Sequence, residues 1–292
     1  MSKGNAKKKK KRGHYGEILH RFLKNKGAVV GMIIILAFLF TAITCPLFLD
    51  YREDITRNHA KDRLQSPSWE HPFGTDELGR DIFKRVIWGS RYSLSIGLAS
   101  MFVSLVIGVF LGAIAGYYTG SPMENVIMRF ADVLGAIPSL LLGMVIVAVF
   151  GRSAFNIVIA CSVMGISGFL RVTRASVMTV IGQEYVEASR AIGRTDFATL
   201  FLHVLPNSLS PIIVEATLDV AIMILSVSSL SFLGLGIPAP APEWGSMLSG
   251  ARQYIMSKPH FTLPGFAILL TVLSFNLMGD GLRSALDPKQ KK

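Results

Sequence analysis

The chain has 292 residues, of which 51% are hydrophobic and 17% charged, whereas ordinary soluble domains carry about 25% charged residues. The mean hydropathy of +0.47 is also too high for a chain that is mostly protein surface. Two cysteines are too few for a disulfide scaffold, and an aromatic content of 10% argues against a disordered chain. The class that remains is a membrane protein whose spans are joined by polar segments.

Six stretches are long and apolar enough to cross a membrane, since about 20 apolar residues span the hydrocarbon core. The fifth, about Ser208–Phe232, is interrupted by Glu215 and Asp219. Segments of alternating polarity are absent from the sequence, so helices are expected and not barrel strands. We predict an all-α, polytopic membrane protein with six transmembrane helices. The five uncharged stretches are Gly27–Leu49, Tyr92–Met123, Val133–Gly151, Ser153–Leu170 and Pro259–Gly279.

The net charge of +11 indicates a membrane topology and not a nucleic-acid partner. Six basic residues form the run Lys7–Arg12, shortly before the first apolar stretch. Such a run favours a cytoplasmic N-terminus and contact with anionic membrane lipid. With both termini inside, the cytoplasmic segments hold 19 basic residues and the external segments 11. The count favours this orientation.

The topology divides the chain into five parts. The first apolar stretch is too long for a signal peptide and ends in Thr44-Cys45-Pro46 without an A-x-A-like site, so we expect a retained helix. The expected parts are a cytoplasmic basic tail (1–26), a first transmembrane helix (27–49), an external segment (50–91), a five-helix core (92–285) with a cytoplasmic loop (172–207), and a cytoplasmic C-terminal tail (286–292).

The polar loop between the fourth and fifth spans has the pattern of two short helices. Over Glu184–Ile192, apolar residues recur at i, i+3 and i+7, which is typical of one helical face. Gly193 then supplies a stop signal, and Thr195 can cap a second helix that ends before Pro206. From the residues alone, this arrangement fits a docking device for a partner and an amphipathic segment on the membrane surface equally well.

Four motifs in chain order resemble those of ABC importer permeases. The first motif resembles the EAA loop of that family: it consists of Glu187-Ala188-Ser189, then Gly193 after three residues, then His203-Val204-Leu205-Pro206 after nine more. Ser189 and His203 depart from the usual alanine and isoleucine. The others narrow the resemblance to the "C"-type permeases of dipeptide, oligopeptide and nickel importers. They are His71–Asp76 with Gly79-Arg80-Asp81 and Gly89–Leu94, Ser231–Pro238 with Pro242–Gly245, and Asn276–Arg283 with Leu286-Asp287-Pro288.

This resemblance implies a type I ABC importer permease fold and transport by alternating access. It also implies a second homologous permease chain, two cytoplasmic ATPases and an extracytoplasmic substrate-binding protein, assembled in a bacterial cell membrane. Arg190 is a second-line coupling candidate, for which a solvated surface charge is the alternative. The residues that would couple the chain to an ATPase are Glu187, Ala188, Ser189, Arg190, Gly193, Leu205 and Pro206.

Motifs for catalysis or cofactor binding are missing from the sequence. It contains no GxxxxGK[ST], HExxH, GxSxG or CxxC. We therefore expect a transport subunit that is not an enzyme by itself and binds neither a metal nor a cofactor. ATP and Mg²⁺ would be bound by the partner ATPases.

Glu215 and Asp219 are four residues apart, hence on one helical face, near the middle of the fifth span. Intramembrane carboxylates cost at least about 3 kcal/mol unless they face a cavity or a partner. They are candidates for lining the translocation pathway, where they would attract a peptide's amino terminus or another cation. The alternative is hydrogen bonding to neighbouring helices, which leaves open that one of the two carboxyl groups is protonated.

The expected function is ATP-driven import of di- or oligopeptides that a binding protein delivers. A nickel or chelated-metal importer of the same family remains open, because a partner protein usually selects the cargo in this family. A different class is a self-contained, proton-coupled secondary carrier that uses Glu215 and Asp219 as a proton relay. An exporter or lipid-handling permease with the same loop is a further alternative.

Overall fold

The computed structural model describes residues 14–287, and within this part of the chain every regular element is a helix, which confirms the expected all-α fold. The basic run Lys7–Arg12 and the tail from residue 288 lie outside the described residues. The helices are α1 (His14–Lys24), α2 (Lys26–Phe48), α3 (Ile82–Tyr117), α4 (Pro122–Ala136), α5 (Ser139–Phe150), α6 (Ala154–Val180), α7 (Glu184–Ala191), α8 (Asp196–Thr199), α9 (Leu205–Asn207), α10 (Leu209–Leu230), α11 (Trp244–Ala251) and α12 (Leu263–Leu286).

Helices α2, α3, α6, α10 and α12 are each long and apolar enough to cross a membrane, and α4 with α5 forms a bent sixth candidate. The axes of this pair differ by 88°. Ile137, between them, has an extended backbone because the ring of Pro138 disfavours a helical conformation in the residue before it. The uncharged stretch Val133–Gly151, expected to be one span, is therefore divided between two helices.

Two spanning helices continue beyond their uncharged stretches. Helix α3 begins at Ile82, inside the segment expected to be an external connection, and the Asp81 carboxylate caps it by accepting the Lys84 N–H. Helix α6 runs to Val180, whereas its uncharged stretch ends at Leu170. Residues 82–91 and 172–180 are thus helical.

Charged side chains in these extensions form ion pairs with neighbouring segments. Lys84 pairs with Asp54 of the preceding connection at 2.7 Å. On α6, Arg171 pairs with Asp132 at 2.8 Å, and Arg174 Nε donates to Glu124 at 2.7 Å. These pairs hold the end of α6 against α4.

Helices α3 and α6 pack closely along a line of glycines. A Cβ at Gly108 would lie 2.5 Å from the Phe169 Cβ, and one at Gly112 would lie 2.5 Å from the Leu170 carbonyl oxygen. Glycine at these positions lets the two backbones approach, as small residues do in membrane helix pairs. Close packing along this seam holds α3 in a fixed position against α6.

At the N-terminal end of α3, the connections before α3 and α12 form a cap (residues 50–81 and 236–262). The buried Asp76 carboxylate organises its first half by accepting the N–H groups of Leu78 and Arg80 at 2.9 Å each, and the Arg80 Nε at 2.7 Å. Arg85 of α3 lies 3.5 Å from the same carboxylate and donates to the Ile55 carbonyl at 2.7 Å. These contacts tie the cap to α3.

The second half of the cap is fixed by Glu243 and Trp244, neither of which is exposed. Glu243 caps α11 by accepting the N–H groups of Gly245 and Ser246, and it accepts the Ser93 hydroxyl of α3 at 3.2 Å. The Trp244 indole donates to the Val86 carbonyl of α3 at 2.9 Å. This part of the cap is therefore interior structure.

Candidate functional site: the EAA loop and the intramembrane carboxylates

The EAA loop (residues 184–206) contains the two expected helical segments, separated by Gly193. Helix α7 ends in a Schellman motif, in which the Gly193 N–H donates to Arg190 O at 2.9 Å and the Arg194 N–H donates to Ser189 O at 3.3 Å. Gly193 has φ +81°, and a Cβ there would meet no atom within 4 Å. Glycine is therefore required for its backbone conformation and not for space.

The second segment is less regular than expected. The Thr195 hydroxyl caps α8 by accepting the Ala198 N–H, but α8 ends at Thr199, and Leu200–Val204 form a wide π-helical turn. Pro206 follows at once and has no N–H to donate. Side chains satisfy the carbonyls beside it, since Asn207 Nδ2 donates to His203 O and the Ser208 hydroxyl donates to Val204 O. The His203 and Val204 carbonyls are therefore hydrogen-bonded at the point where the chain enters α10.

Ser189 and Arg190 of α7 make side-chain hydrogen bonds to other segments. Ser189 is buried, and its hydroxyl lies 3.1 Å from the Thr199 hydroxyl, so the two segments of the loop are bonded to each other. Arg190 Nε donates to the Tyr117 hydroxyl at 3.2 Å, and its guanidinium lies 4.9 Å from the centroid of that ring. Tyr117 in turn donates to Asp196 at 2.7 Å. Arg190 is therefore an exposed residue that is also bonded to the end of α3.

The exposed surface of α7 carries both apolar and charged side chains. Glu187 and Ala188 are exposed there, and the Glu187 carboxylate has no partner among residues 14–287. Ile192 and Phe197 extend this surface, with 75% and 68% of their own areas exposed. Pro206 is exposed and Leu205 half-buried, at the point where the loop rejoins α10.

The structure therefore divides the expected coupling residues into two groups. Glu187 and Ala188 are exposed, whereas Ser189 bonds the two segments of the loop to each other and Arg190 bonds α7 to α3. Sequence reasoning missed Tyr117 and Asp196, which complete the attachment. Their spacing from Arg190 carries no local signal, because Tyr117 lies at the end of a different spanning helix.

Glu215 and Asp219 lie on α10, as expected. Asp219 is 7% exposed, and its Oδ2 atom is buried without a hydrogen-bond partner. Glu215 is half-buried and faces α6, where a Cβ on Gly168 would lie 3.9 Å from the Glu215 Oε1 atom. Within residues 14–287, neither carboxylate accepts a hydrogen bond or forms an ion pair. Hydrogen bonding to neighbouring helices thus does not account for them within the described chain.

Residues that could hold a metal ion are not clustered in the described chain. Over residues 14–287, no three His, Cys, Asp or Glu side chains are placed to bind one. Both cysteines, Cys45 and Cys161, are buried free thiols.

Comparison with known proteins gives the family. The model described as "Binding-protein-dependent transport system inner membrane component" matches residues 108–292, and that described as "N-terminal TM domain of oligopeptide transport permease C" matches residues 15–67. The dipeptide transport system permease protein DppC of Alkalihalophilus pseudofirmus is 46% identical over 94% of this chain and 90% of its own length. The oligopeptide transport system permease protein OppC of Bacillus subtilis is 40% identical, over 99% and 95%.

Solved structures show the same fold at low sequence identity. An inward-facing structure of the MetNI methionine ABC transporter has a TM-score of 0.57 at 17% identity, covering 70% of this chain and 96% of that one. An amino acid ABC transporter crystallised with histidines gives 0.52 at 16%, covering 69% and 94%. The chain therefore belongs to the binding-protein-dependent transport system inner membrane components, the multi-span permeases of bacterial ABC importers. The resemblance inferred from the motifs is confirmed.

Proposed function

We propose that this permease subunit imports di- or oligopeptides and that the exposed surface of its EAA loop couples it to ATP hydrolysis by a partner. The cargo is suggested by the relatives, which are named as dipeptide and oligopeptide permeases. The observation that carries the coupling role is the exposure of Ile192, Phe197 and an unpartnered Glu187 on a loop that is bonded to the bundle through Arg190.

The coupling mechanism follows from how the loop is attached. ATP can shift the permease between two states only if the ATP-bound partner interacts differently with each state. A rigid loop transmits that difference better than a flexible one. The Arg190–Tyr117–Asp196 contacts join α7 to α3, and the Ser176 hydroxyl of α6 donates to Ser208 O at 2.7 Å, where the loop enters α10. Displacement of α7 would therefore move α3, α6 and α10 together.

We propose that both termini and the EAA loop are cytoplasmic and that the cap is external. The distribution of basic residues supports this orientation. The assembly would contain a second homologous permease chain, two ATPases that bind ATP and Mg²⁺, and an external binding protein facing the cap. This chain would not hydrolyse ATP itself. Its basic tail would contact anionic lipid, in keeping with the six basic residues at 7–12.

We further propose that Glu215 and Asp219 line the translocation pathway. Two unneutralised carboxylates near the middle of a spanning helix are expensive unless they face water or a ligand. Gly168 of α6 presents no side chain to Glu215, since a Cβ there would lie 3.9 Å from the Glu215 Oε1 atom.

The test is peptide uptake by the reconstituted complex carrying Glu187→Lys or Gly193→Leu. Both variants are expected to insert normally and lose transport, because the first reverses the charge on the docking face and the second opposes the positive φ of the loop. Glu17→Lys is the matched control, since Glu17 is exposed on α1, outside both the EAA loop and the cap. Wild-type uptake in both loop variants would refute the coupling role.

A further inference from the structure

The two carboxylates of α10 lie at a depth where a charge needs a partner. Asp219 is ten residues from the first residue of α10, about 15 Å along the axis at 1.5 Å per residue. Glu215 is one turn away on the same face, so the two Cβ atoms are about 6 Å apart. A single small group could therefore contact both side chains.

Cations that could neutralise this pair from within the chain are already engaged. On the facing helix α6, Arg171 is paired with Asp132 and Arg174 with Glu124. The Asp219 carboxylate is more than nine-tenths buried and still has an oxygen without a hydrogen-bond donor. The described chain thus places two carboxyl groups side by side and supplies neither a cation nor a hydrogen-bond donor for them.

The wall opposite Glu215 has no side chain. A Cβ on Gly168 would lie 3.9 Å from the Glu215 Oε1 atom, an ordinary van der Waals distance, so α6 presents no side chain to the carboxylate at this position. A divalent metal suits the two carboxylates poorly, because Ca²⁺ takes about 6–8 oxygen ligands and no third acidic, His or Cys ligand is clustered here among residues 14–287. A primary ammonium has three N–H donors and suits two carboxylates.

We propose that Glu215 and Asp219 bind a primary ammonium group of the cargo during its passage through the membrane. The inference rests on the proposed function, because it requires that these residues meet the cargo. A peptide offers this chemistry in two places, its free amino terminus and the side chain of a lysine. In either case the permease itself recognises a positive charge on its cargo, in addition to any selection by the binding protein.

The experiment compares transport of matched peptides by the full complex in proteoliposomes. The binding protein is saturated with each peptide, so that its own preference does not enter the rates. Trialanine is compared with N-acetyl-trialanine, and Ala-Lys-Ala with the same peptide containing norleucine. The variants are Glu215→Gln, Asp219→Asn and the double substitution, and Thr217→Val on the same helix is the matched control.

The wild type and Thr217→Val are expected to move trialanine at least about tenfold faster than its acetylated form, since a charge-assisted contact contributes roughly 1.5–3 kcal/mol. The double variant should move the two at nearly equal rates. A faster rate for the lysine peptide, lost in the same variant, assigns recognition to any primary amine. Loss of the trialanine preference alone assigns recognition to the amino terminus.

Two outcomes overturn the inference while leaving peptide import intact. One is an unchanged trialanine ratio in a double variant that transports well. The other is loss of the second permease chain from the purified double variant, which would mean that a cation of that chain neutralises the pair. Glu215→Gln alone, at the half-buried position, keeps the test decisive if the double variant fails to fold. A wild-type complex that moves none of the peptides overturns the proposed function as well.

Discussion

The cap and the EAA loop lie at opposite ends of α3 and both carry family motifs, but they differ in what those motifs do. In the cap, the motif residues Asp76, Glu243 and Trp244 are buried and bond to α3. In the EAA loop, half of the motif faces outward, and Glu187 has no partner among residues 14–287. A sequence motif therefore marks a fold determinant at one end of the molecule and a contact surface at the other.

The largest difference is expected between substitutions of a cap residue and of a residue on the EAA loop face. Trp244→Ala should destabilise the protein by about 3–5 kcal/mol, because it removes a large buried ring and leaves a cavity. Ile192→Ala, at an exposed position, should change stability by no more than about 0.5 kcal/mol but weaken ATPase binding. Thermal unfolding in detergent and co-purification of the ATPases measure the two effects. An equal loss of stability in Trp244→Ala and Ile192→Ala would show that the cap residue and the loop residue do not differ in this way.

A smaller effect is expected where the loop joins the bundle. Tyr117→Phe keeps the ring beneath Arg190 but removes the hydroxyl that bonds both Arg190 and Asp196, at a cost of about 1–2 kcal/mol. The loop should loosen while its outward face stays intact. We expect ATPase binding to persist and the number of peptides moved per ATP to fall. Arg190→Lys, which keeps the charge, is the comparison variant, and an unchanged transport ratio in Tyr117→Phe would show that the attachment does not transmit motion.

The smallest effect concerns the pH dependence of the cap. Burial raises the pKa of the Glu243 carboxyl, and the hydrogen bonds it accepts only partly offset this. The folded protein therefore holds this proton at pH values where the unfolded chain has lost it, so the stability from this group is full below the ordinary glutamate pKa and falls as pH rises toward the raised value. Thermal unfolding across that range should show the decline. Glu243→Gln should flatten it, and an equally steep decline in that variant would assign it to other groups.

Sequence patterns located the spanning helices because lipid demands long apolar runs. Charge counting failed at their ends, since Arg171 and Arg174 continue α6 by pairing with carboxylates more than 35 residues away in sequence. Pro138 lies within an uncharged run, so its bend was invisible to the same count. The i, i+3, i+7 pattern identified α7 and its outward face. Arg190 bonds α7 to α3 through the Tyr117 hydroxyl, and no local sequence pattern indicates this contact.

The bend between α4 and α5 has a consequence for the surrounding bilayer. Helix α5 has 12 residues and is about 18 Å long, well short of the roughly 30 Å hydrocarbon thickness. Because α4 is almost perpendicular to it, an upright α5 would place α4 along the membrane surface, with its exposed Val126, Phe130 and Val133 open to acyl chains or to a second permease chain. Where lipid covers this flank it would have to thin locally, and we then expect transport to respond to acyl-chain length as well as to ATP.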